Sequence, residues 1–139
     1  MDLRIVKTRN SIRAAFIELR KDNALEKIRV NHLCEKAMIN KTTFYKHYQD
    51  VYALADEIEE ETIQSIMNSF ENIDDLFADP ERFMKGLYAA FISHKTLIFT
   101  LFSGRMNVLL DLVERHLVVH YPAIGMAQDK AILLSFLIN

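Results

Sequence analysis

The chain has 139 residues, of which half are apolar and 26% are charged, and its formal net charge is −2. This length and composition allow a real hydrophobic core and argue against intrinsic disorder. A single cysteine, Cys34, excludes a disulfide framework and a multi-cysteine zinc site. No secretory signal pattern opens the chain, and the longest apolar stretch, near Ala131 to Ile138, is too short to span a bilayer. We therefore expect a cytoplasmic protein without a membrane anchor.

The charges are unevenly distributed along the chain. Residues 1–50 hold 11 Lys/Arg against 6 Asp/Glu, a net charge of +5, whereas residues 51–139 hold 6 against 13, a net charge of −7. A basic first part suits a polyanion such as nucleic acid, although a basic half can also be a solvated face.

Three glycines and two prolines are few for this length, which favours long helices and an all-α fold. The sequence predicts a first helix from Thr8 to Lys21, with Thr8 as its N-cap and a stop at Asp22-Asn23. A short second helix and a turn at residues 38–40 follow. Apolar residues at helical spacing mark the two helices: Ile12, Ala15, Phe16 and Leu19 in the first, and Val30, Leu33, Cys34 and Ala37 in the second.

The third predicted helix has two different faces. Asn40 is a good N-cap, and Phe44 and Tyr48 stand four residues apart, so both rings can enter a core. The helix start and the other faces carry residues with polar groups, namely Lys41, Thr42, Thr43, Tyr45, Lys46 and His47. Two short helices joined by a three-residue turn and braced by a preceding helix predict a helix-turn-helix. Lysines and hydroxyls on its second helix can reach phosphates and base edges.

A long fourth helix is predicted from the cap Asp50 to Ile73, with an acidic run at residues 56–61 on a solvated face. Its apolar stripe comprises Leu54, Ala55, Ile58, Thr62, Ile66, Phe70 and Ile73.

Further helices follow the fourth. Asp79-Pro80-Glu81 is a strong helix start, and that helix runs to about His94. A shorter segment spans residues 97–102, and a helix runs from Met106 to His120 after a break at Ser103-Gly104. Residues 131–138 begin an apolar helix without a stop signal, so we expect further C-terminal helices in a longer chain.

The first part of the chain resembles the DNA-binding domain of the TetR/AcrR (tetracycline-repressor-like) transcriptional regulators. The resemblance covers roughly residues 4–58. It lies in Thr8-Arg9 with Ile12, Ala15 and Phe16, in residues 30–37, in INKTTFYKHY at residues 39–48, and in Leu54 six residues on. It implies a homodimer whose two recognition helices enter successive major grooves. It also implies residues 1–50 as the DNA-binding domain and residues 51–139 as a helical effector-binding and dimerisation domain, with residues 51–73 as the connecting helix.

The resemblance also implies the contacts with DNA. Lys41, Thr42, Thr43 and Lys46 would lie near bases and phosphates, and Tyr45 and His47 would mainly contact phosphates; Thr8 and Arg29 complete the predicted set. Three positions depart from the family pattern. Met38 stands where glycine is frequent, Arg29 replaces a capping Thr or Ser while offering a cation to the DNA backbone, and Val51 replaces a phosphate-binding lysine.

In the second part, apolar and polar side chains could line an effector pocket between helices, and ordinary core is the alternative for each apolar one. The candidate pocket residues are Met84, Tyr88, Phe91, His94, Phe99, Phe102, Met106 and His116. His116 and His120 have a spacing that can hold a metal, but no third ligand is evident, so we expect neither a metal nor a cofactor. Cys34 is expected in the core.

The sequence therefore predicts a homodimeric DNA-binding transcriptional regulator, a repressor released by a small-molecule or protein effector. The alternative is a helical ligand-binding or dimerisation module without DNA binding. An enzyme is not expected, because no nucleophile and base are placed together and no phosphate-binding glycine loop is present.

Overall fold

The computed structural model describes residues 2–69 and 78–120. Their regular structure consists of helices and one 3₁₀ turn at Leu25–Lys27, with no strand, so the all-α prediction is confirmed. The helices are α1 (Leu3–Arg20), α2 (Val30–Ala37), α3 (Lys41–His47), α4 (Val51–Asn68), α5 (Pro80–Ser93), α6 (Lys95–Phe102) and α7 (Met106–His120). The chain divides into two compact units, Met1–Glu59 and Glu60–Asn139, and the division lies within α4.

Helix α1 begins five residues before the predicted start. Asp2 is its N-cap, since its side-chain oxygen accepts a hydrogen bond from the backbone N–H of Arg4 at 2.9 Å. Thr8 therefore lies inside the helix, and its predicted role as the cap is wrong. The predicted stop is confirmed, because α1 ends at Arg20 and the side-chain amide of Asn23 donates a hydrogen bond to the Leu19 carbonyl at 2.8 Å.

The core of the first unit contains most of the apolar residues predicted for α1, α2 and α3, although Leu19, Val30 and Ala37 are only half-buried. Helix α1 packs against α2, and α2 packs against α3. The buried side chains are those of Ile12, Ala15, Phe16, Leu25, Ile28, Leu33, Cys34, Phe44, Tyr48, Val51, Leu54, Ala55 and Ile58. Cys34 is a core residue as predicted, and burial raises the pKa of its thiol.

The turn between α2 and α3 contains a strained residue. Met38 has φ 59° and ψ 45°, in the left-handed region that usually holds glycine at the end of a helix. The Ile39 N–H donates to the Cys34 carbonyl at 3.0 Å, which closes the helix end. The Met38 side chain is 90% exposed and contributes little packing that could offset the strain.

Replacing Met38 by glycine is therefore expected to stabilise the protein by about 1 kcal/mol, because glycine adopts the left-handed conformation without the Cβ clash. Urea denaturation measures the change. Met38→Ala is the control: it removes the same exposed side chain but keeps the Cβ, so we expect no gain. Equal stability of the two variants would contradict the strain at this position.

Helix α4 begins as predicted. The Asp50 carboxylate accepts the N–H of Ala53 at 2.8 Å, which confirms the cap. Of its predicted apolar stripe, Leu54, Ala55, Ile58 and Ile66 are buried and Thr62 is half-buried, while Phe70 and Ile73 lie outside the described residues. The acidic run is only partly solvated, since Glu59 is 2% exposed and Glu57 is half-buried. The expectation of a uniformly solvated face is wrong at these two positions.

The second unit contains the helix start predicted at Asp79. The Asp79 carboxylate accepts the N–H of Arg82 at 3.2 Å, and Pro80 occupies the first turn of α5. Helix α6 ends before Gly104, whose φ of 74° permits the turn into α7. The buried apolar residues of α5 to α7 are Phe83, Leu87, Ile98, Leu101, Phe102, Leu109, Leu112, Val113 and Leu117. The stretch predicted as a further helix, residues 131–138, lies outside the described residues.

Among the helices of residues 2–69 and 78–120, none is by itself long and apolar enough to cross a membrane. Helix α6 and residues Met106–Val119 of α7 reach the length and apolar composition of a membrane span only when they are taken together, and a bend of 119° separates them.

Candidate nucleic-acid interface and apolar groove

Helix α3 has only seven residues, so capping and tertiary contacts must hold it in place. At its start, the Asn40 side-chain oxygen accepts the N–H of Thr43 at 2.8 Å, as predicted. At its end, the N–H of Tyr48 donates to the Phe44 carbonyl at 3.0 Å, and the chain then becomes extended. Both ends of the helix are therefore fixed by the residues that bound it.

The two faces of α3 are divided as the sequence predicts. Phe44 is fully buried, Tyr48 is 5% exposed, and the centroids of their rings lie 5.8 Å apart. Lys41, Thr42, Tyr45 and Lys46 are exposed, and Thr43 and His47 are half-buried. One short helix thus presents six residues able to donate hydrogen bonds.

The ring of Tyr45 packs against the buried ring of Phe44. Its ring meets the Phe44 ring edge to face, with centroids 5.4 Å apart and an angle of 86° between the planes. The side chain remains 54% exposed. A phenol supported in this way loses little conformational freedom when it binds, which makes it a suitable contact for a ligand.

The lysines of α3 have positive charge available for a partner. Within the described part of the chain, neither Lys41 nor Lys46 forms a salt bridge. The two other predicted contact residues belong to other elements: Thr8 is half-buried in α1, and Arg29 is exposed at the N-cap of α2 without a side-chain capping bond. The six residues of α3 are therefore brought together by one helix, whereas Thr8 and Arg29 are not part of it.

A cluster of hydrogen-bonded side chains that joins α1, the residue ending α3, and α4 was not anticipated from the sequence. The carboxylate of Glu57 in α4 accepts hydrogen bonds from Arg9 on one oxygen and from Arg13, at 3.0 Å, and the Tyr48 hydroxyl, at 2.6 Å, on the other. The Arg9 guanidinium also lies over the Tyr48 ring, 5.0 Å from its centroid. The available signal was the four-residue spacing of Arg9 and Arg13, which places both arginines on one face of α1. We call these four residues the Glu57 cluster.

The buried hydroxyl of Tyr48 should make the protein less stable at alkaline pH. Burial, and then the hydrogen bond to Glu57, raise the pKa of Tyr48 from 10 to about 12. The folded state therefore favours the protonated phenol. Its contribution to stability is complete below the unfolded pKa and is lost as the pH rises from about 10 towards about 12.

Tyr48→Phe is expected to remove this pH dependence, because phenylalanine keeps the ring but has no proton to lose. The wild type should lose unfolding free energy relative to the variant between about pH 10 and 12. Urea denaturation at a series of pH values measures the difference. Tyr52→Phe removes an exposed phenol and should retain the decline of the wild type. If the unfolding free energies of the wild type and Tyr48→Phe changed with pH in the same way, ionisation of Tyr48 would not be linked to stability.

An apolar groove of about 800 Å³ lies among α5, α6 and α7. It is lined by Glu81, Met84, Lys85, Leu87, Tyr88, Phe91, Ile92, Lys95, Ile98, Phe99, Met106, Leu109 and Leu110. Tyr88 and Phe99 are 69% and 70% exposed, so the groove is open on one side. Its rim is charged: Lys85 pairs with Glu81 at 3.0 Å, and Lys95 is exposed.

The groove contains some of the predicted pocket residues but not all. Met84, Tyr88, Phe91, Phe99 and Met106 line it. Phe102 does not, because it is buried in the core of the second unit. His94 and His116 also lie outside the lining, and the Nδ1 of His94 is 2.8 Å from the Ala90 carbonyl.

In residues 2–69 and 78–120, no three His, Cys, Asp or Glu side chains are grouped so that they could hold a metal ion. His116 is half-buried in α7, and the side chain of His120 lies outside the described residues.

No model of a protein family, no curated protein and no solved structure matches this chain. A proposal for its function therefore depends on the chemistry of its own residues.

Proposed function

We propose that this protein is a sequence-specific DNA-binding transcriptional regulator, a homodimeric repressor that an effector releases from DNA. The observation that carries the proposal is the exposed face of α3. Two lysines without salt bridges in the described residues, together with hydroxyls and a supported tyrosine, stand on a short helix whose other face is anchored by Phe44 and Tyr48. This combination suits a helix that enters the major groove, because cations contact phosphates while small polar side chains reach base edges.

The connection between α2 and α3 supports the same function. Helix α2 ends at Ala37 and α3 begins at Lys41, so a three-residue turn joins two short helices that pack together. We interpret this pair as a helix-turn-helix with α3 as the recognition helix. Lys41, Thr42, Thr43 and Lys46 are then the contacts closest to bases and phosphates, and Tyr45 and His47 contact phosphates.

Release by an effector requires a difference in affinity between two conformations. An effector that binds both conformations equally shifts nothing, so it must prefer the one in which the two recognition helices no longer fit the spacing of the half-sites. The apolar groove among α5 to α7 is our candidate for the effector site, and its lining favours a ligand with a large apolar surface.

Selection of bound duplexes from a random-sequence library, followed by sequencing, tests the proposal. We expect one enriched sequence with two-fold symmetry and half-sites about one helical turn apart, because a symmetric dimer places two recognition helices at that spacing. Recovery of unenriched random sequence would contradict sequence-specific binding. An enriched sequence without symmetry would contradict the homodimer alone.

The groove also favours a second candidate function, a ligand-binding or dimerisation module that does not bind DNA. Its open apolar lining could bind a ligand without any involvement of α3. Titration with apolar ligands, followed by tyrosine fluorescence, and titration with duplex DNA at low salt separate the two functions. Ligand binding combined with no DNA binding would favour this module over the regulator.

A further inference from the structure

We propose that Glu57 is a positioning residue for sequence-specific DNA binding: it fixes the end of α3 against α1 without touching DNA itself. This inference rests on the proposed DNA-binding function and names a residue outside the predicted contact surface. Glu57 belongs to α4, whereas the side chains that it holds come from α1 and from the residue that ends α3.

The geometry of Tyr48 is the first support. Tyr48 follows His47 directly and is the C-cap of α3, so the position of its side chain limits where the helix can end. Its hydroxyl is bonded to Glu57 and its ring lies under Arg9. The end of α3 is thereby linked to α4 through the hydroxyl and to α1 through the ring.

The sharing of one carboxylate is the second support. Both oxygens of Glu57 are used, and they accept from three donors on two other segments of the chain. The side chains of Arg9, Arg13 and Glu57 are 34%, 24% and 26% exposed, so solvent screens their attraction less than it would at an open surface. Removing Glu57 would take away the acceptor that Arg9, Arg13 and the Tyr48 hydroxyl share, so the end of α3 should be held less firmly against α1.

Positioning and electrostatics predict opposite effects on DNA binding, which makes the proposal testable. Glu57→Gln removes one negative charge from a basic unit, so binding to DNA of any sequence should stay the same or become tighter. Loss of positioning should weaken binding only to the preferred sequence, because base contacts depend on alignment while phosphate attraction does not. A general loss of folding would weaken both.

Fluorescence anisotropy measures two affinities, one for the duplex that the wild type selects and one for a scrambled duplex of the same composition. The first affinity divided by the second is the specificity ratio. We expect Glu57→Gln to lower this ratio about tenfold, comparable to the loss of one aligned base contact. Asp56→Asn is the matched control, since it removes the same charge from an exposed neighbour on α4 and should leave the ratio unchanged. Thermal unfolding of each variant shows whether it is folded.

The outcomes separate this inference from the proposed function. If the wild type selects no sequence, the proposed function is overturned, and this inference with it. If the wild type selects a sequence and Glu57→Gln keeps its ratio, only the positioning role is overturned. If Glu57→Gln does not fold, Tyr48→Phe decides, because it removes only the hydroxyl: a lower ratio supports the role and an unchanged ratio overturns it.

Discussion

If α3 is the recognition helix, replacing Tyr45 and Lys46 together by alanine should weaken DNA binding about tenfold or more at every sequence, because a charge-assisted hydrogen bond to a phosphate contributes about 1.5 to 3 kcal/mol. Both side chains are exposed on α3, and both are expected to contact phosphates. Loss of the lysine should also reduce the slope of log K against log salt by about 1, because one fewer counterion is released. Gel-shift titrations at several salt concentrations measure both effects.

A second pair of the same residue types provides the control for this double variant. Tyr52 and Lys27 are an exposed tyrosine and lysine outside both the predicted DNA-binding residues and the lining of the groove. Tyr52→Ala combined with Lys27→Ala should leave both the affinity for DNA and its salt slope unchanged. If the α3 double variant bound DNA as tightly as the wild type, α3 would not be the recognition helix.

Phe44→Ala should destabilise the protein by about 3 to 5 kcal/mol, more than any other substitution proposed for this chain. Phe44 is fully buried and contacts the rings of Tyr45 and Tyr48, so alanine would leave a cavity beneath the exposed face of α3. Such a loss is a large part of the roughly 5 to 15 kcal/mol that keeps a typical protein folded. Urea denaturation followed by circular dichroism measures the change.

The adjacent aromatic residue supplies the comparison for Phe44. Tyr45→Ala removes a side chain that is 54% exposed, and we expect it to cost less than about 1 kcal/mol. Loss of the Phe44 ring should thus lower the stability of the fold, whereas loss of the Tyr45 ring should mainly lower the affinity for DNA. Similar losses of stability in the two variants would contradict the division of α3 into a buried and an exposed face.

Features set by neighbouring residues were predictable from the sequence. The caps Asn40, Asp50 and Asp79 each accept a hydrogen bond from a backbone N–H three residues later, so their role depends on local chain geometry alone. The burial of Phe44 and Tyr48 was predictable in the same way, because a four-residue spacing places two side chains on one helix face. The start of α1 is an exception: its cap, Asp2, is a local feature, but Leu3 and Ile5 are exposed and give no sign of a buried face.

Features that depend on distant parts of the chain were not predictable. Glu57 was interpreted as solvated because its partners Arg9 and Arg13 are more than 40 residues away in the sequence. The four-residue spacing of Arg9 and Arg13 indicates that they share a face of α1, but it does not identify the acidic residue that they contact.

The candidate effector pocket shows the same limit in the second unit. Helix α6 is apolar on several faces, so the sequence could not tell which of its phenylalanines enters the core. Phe102 is buried, and Phe99 is exposed in the groove. Packing against the neighbouring helices decides between these two positions, which are three residues apart.

Binding of the wild-type protein to two duplexes tests the central claim most directly. Fluorescence anisotropy would compare the selected sequence with a scrambled duplex of the same composition over a range of salt concentrations. A sequence-specific regulator should bind its own site at least about a thousandfold more tightly, and both affinities should fall as salt rises. Equal affinity for the two duplexes, or no binding to either at low salt, would contradict the assignment of α3 as a DNA-recognition helix.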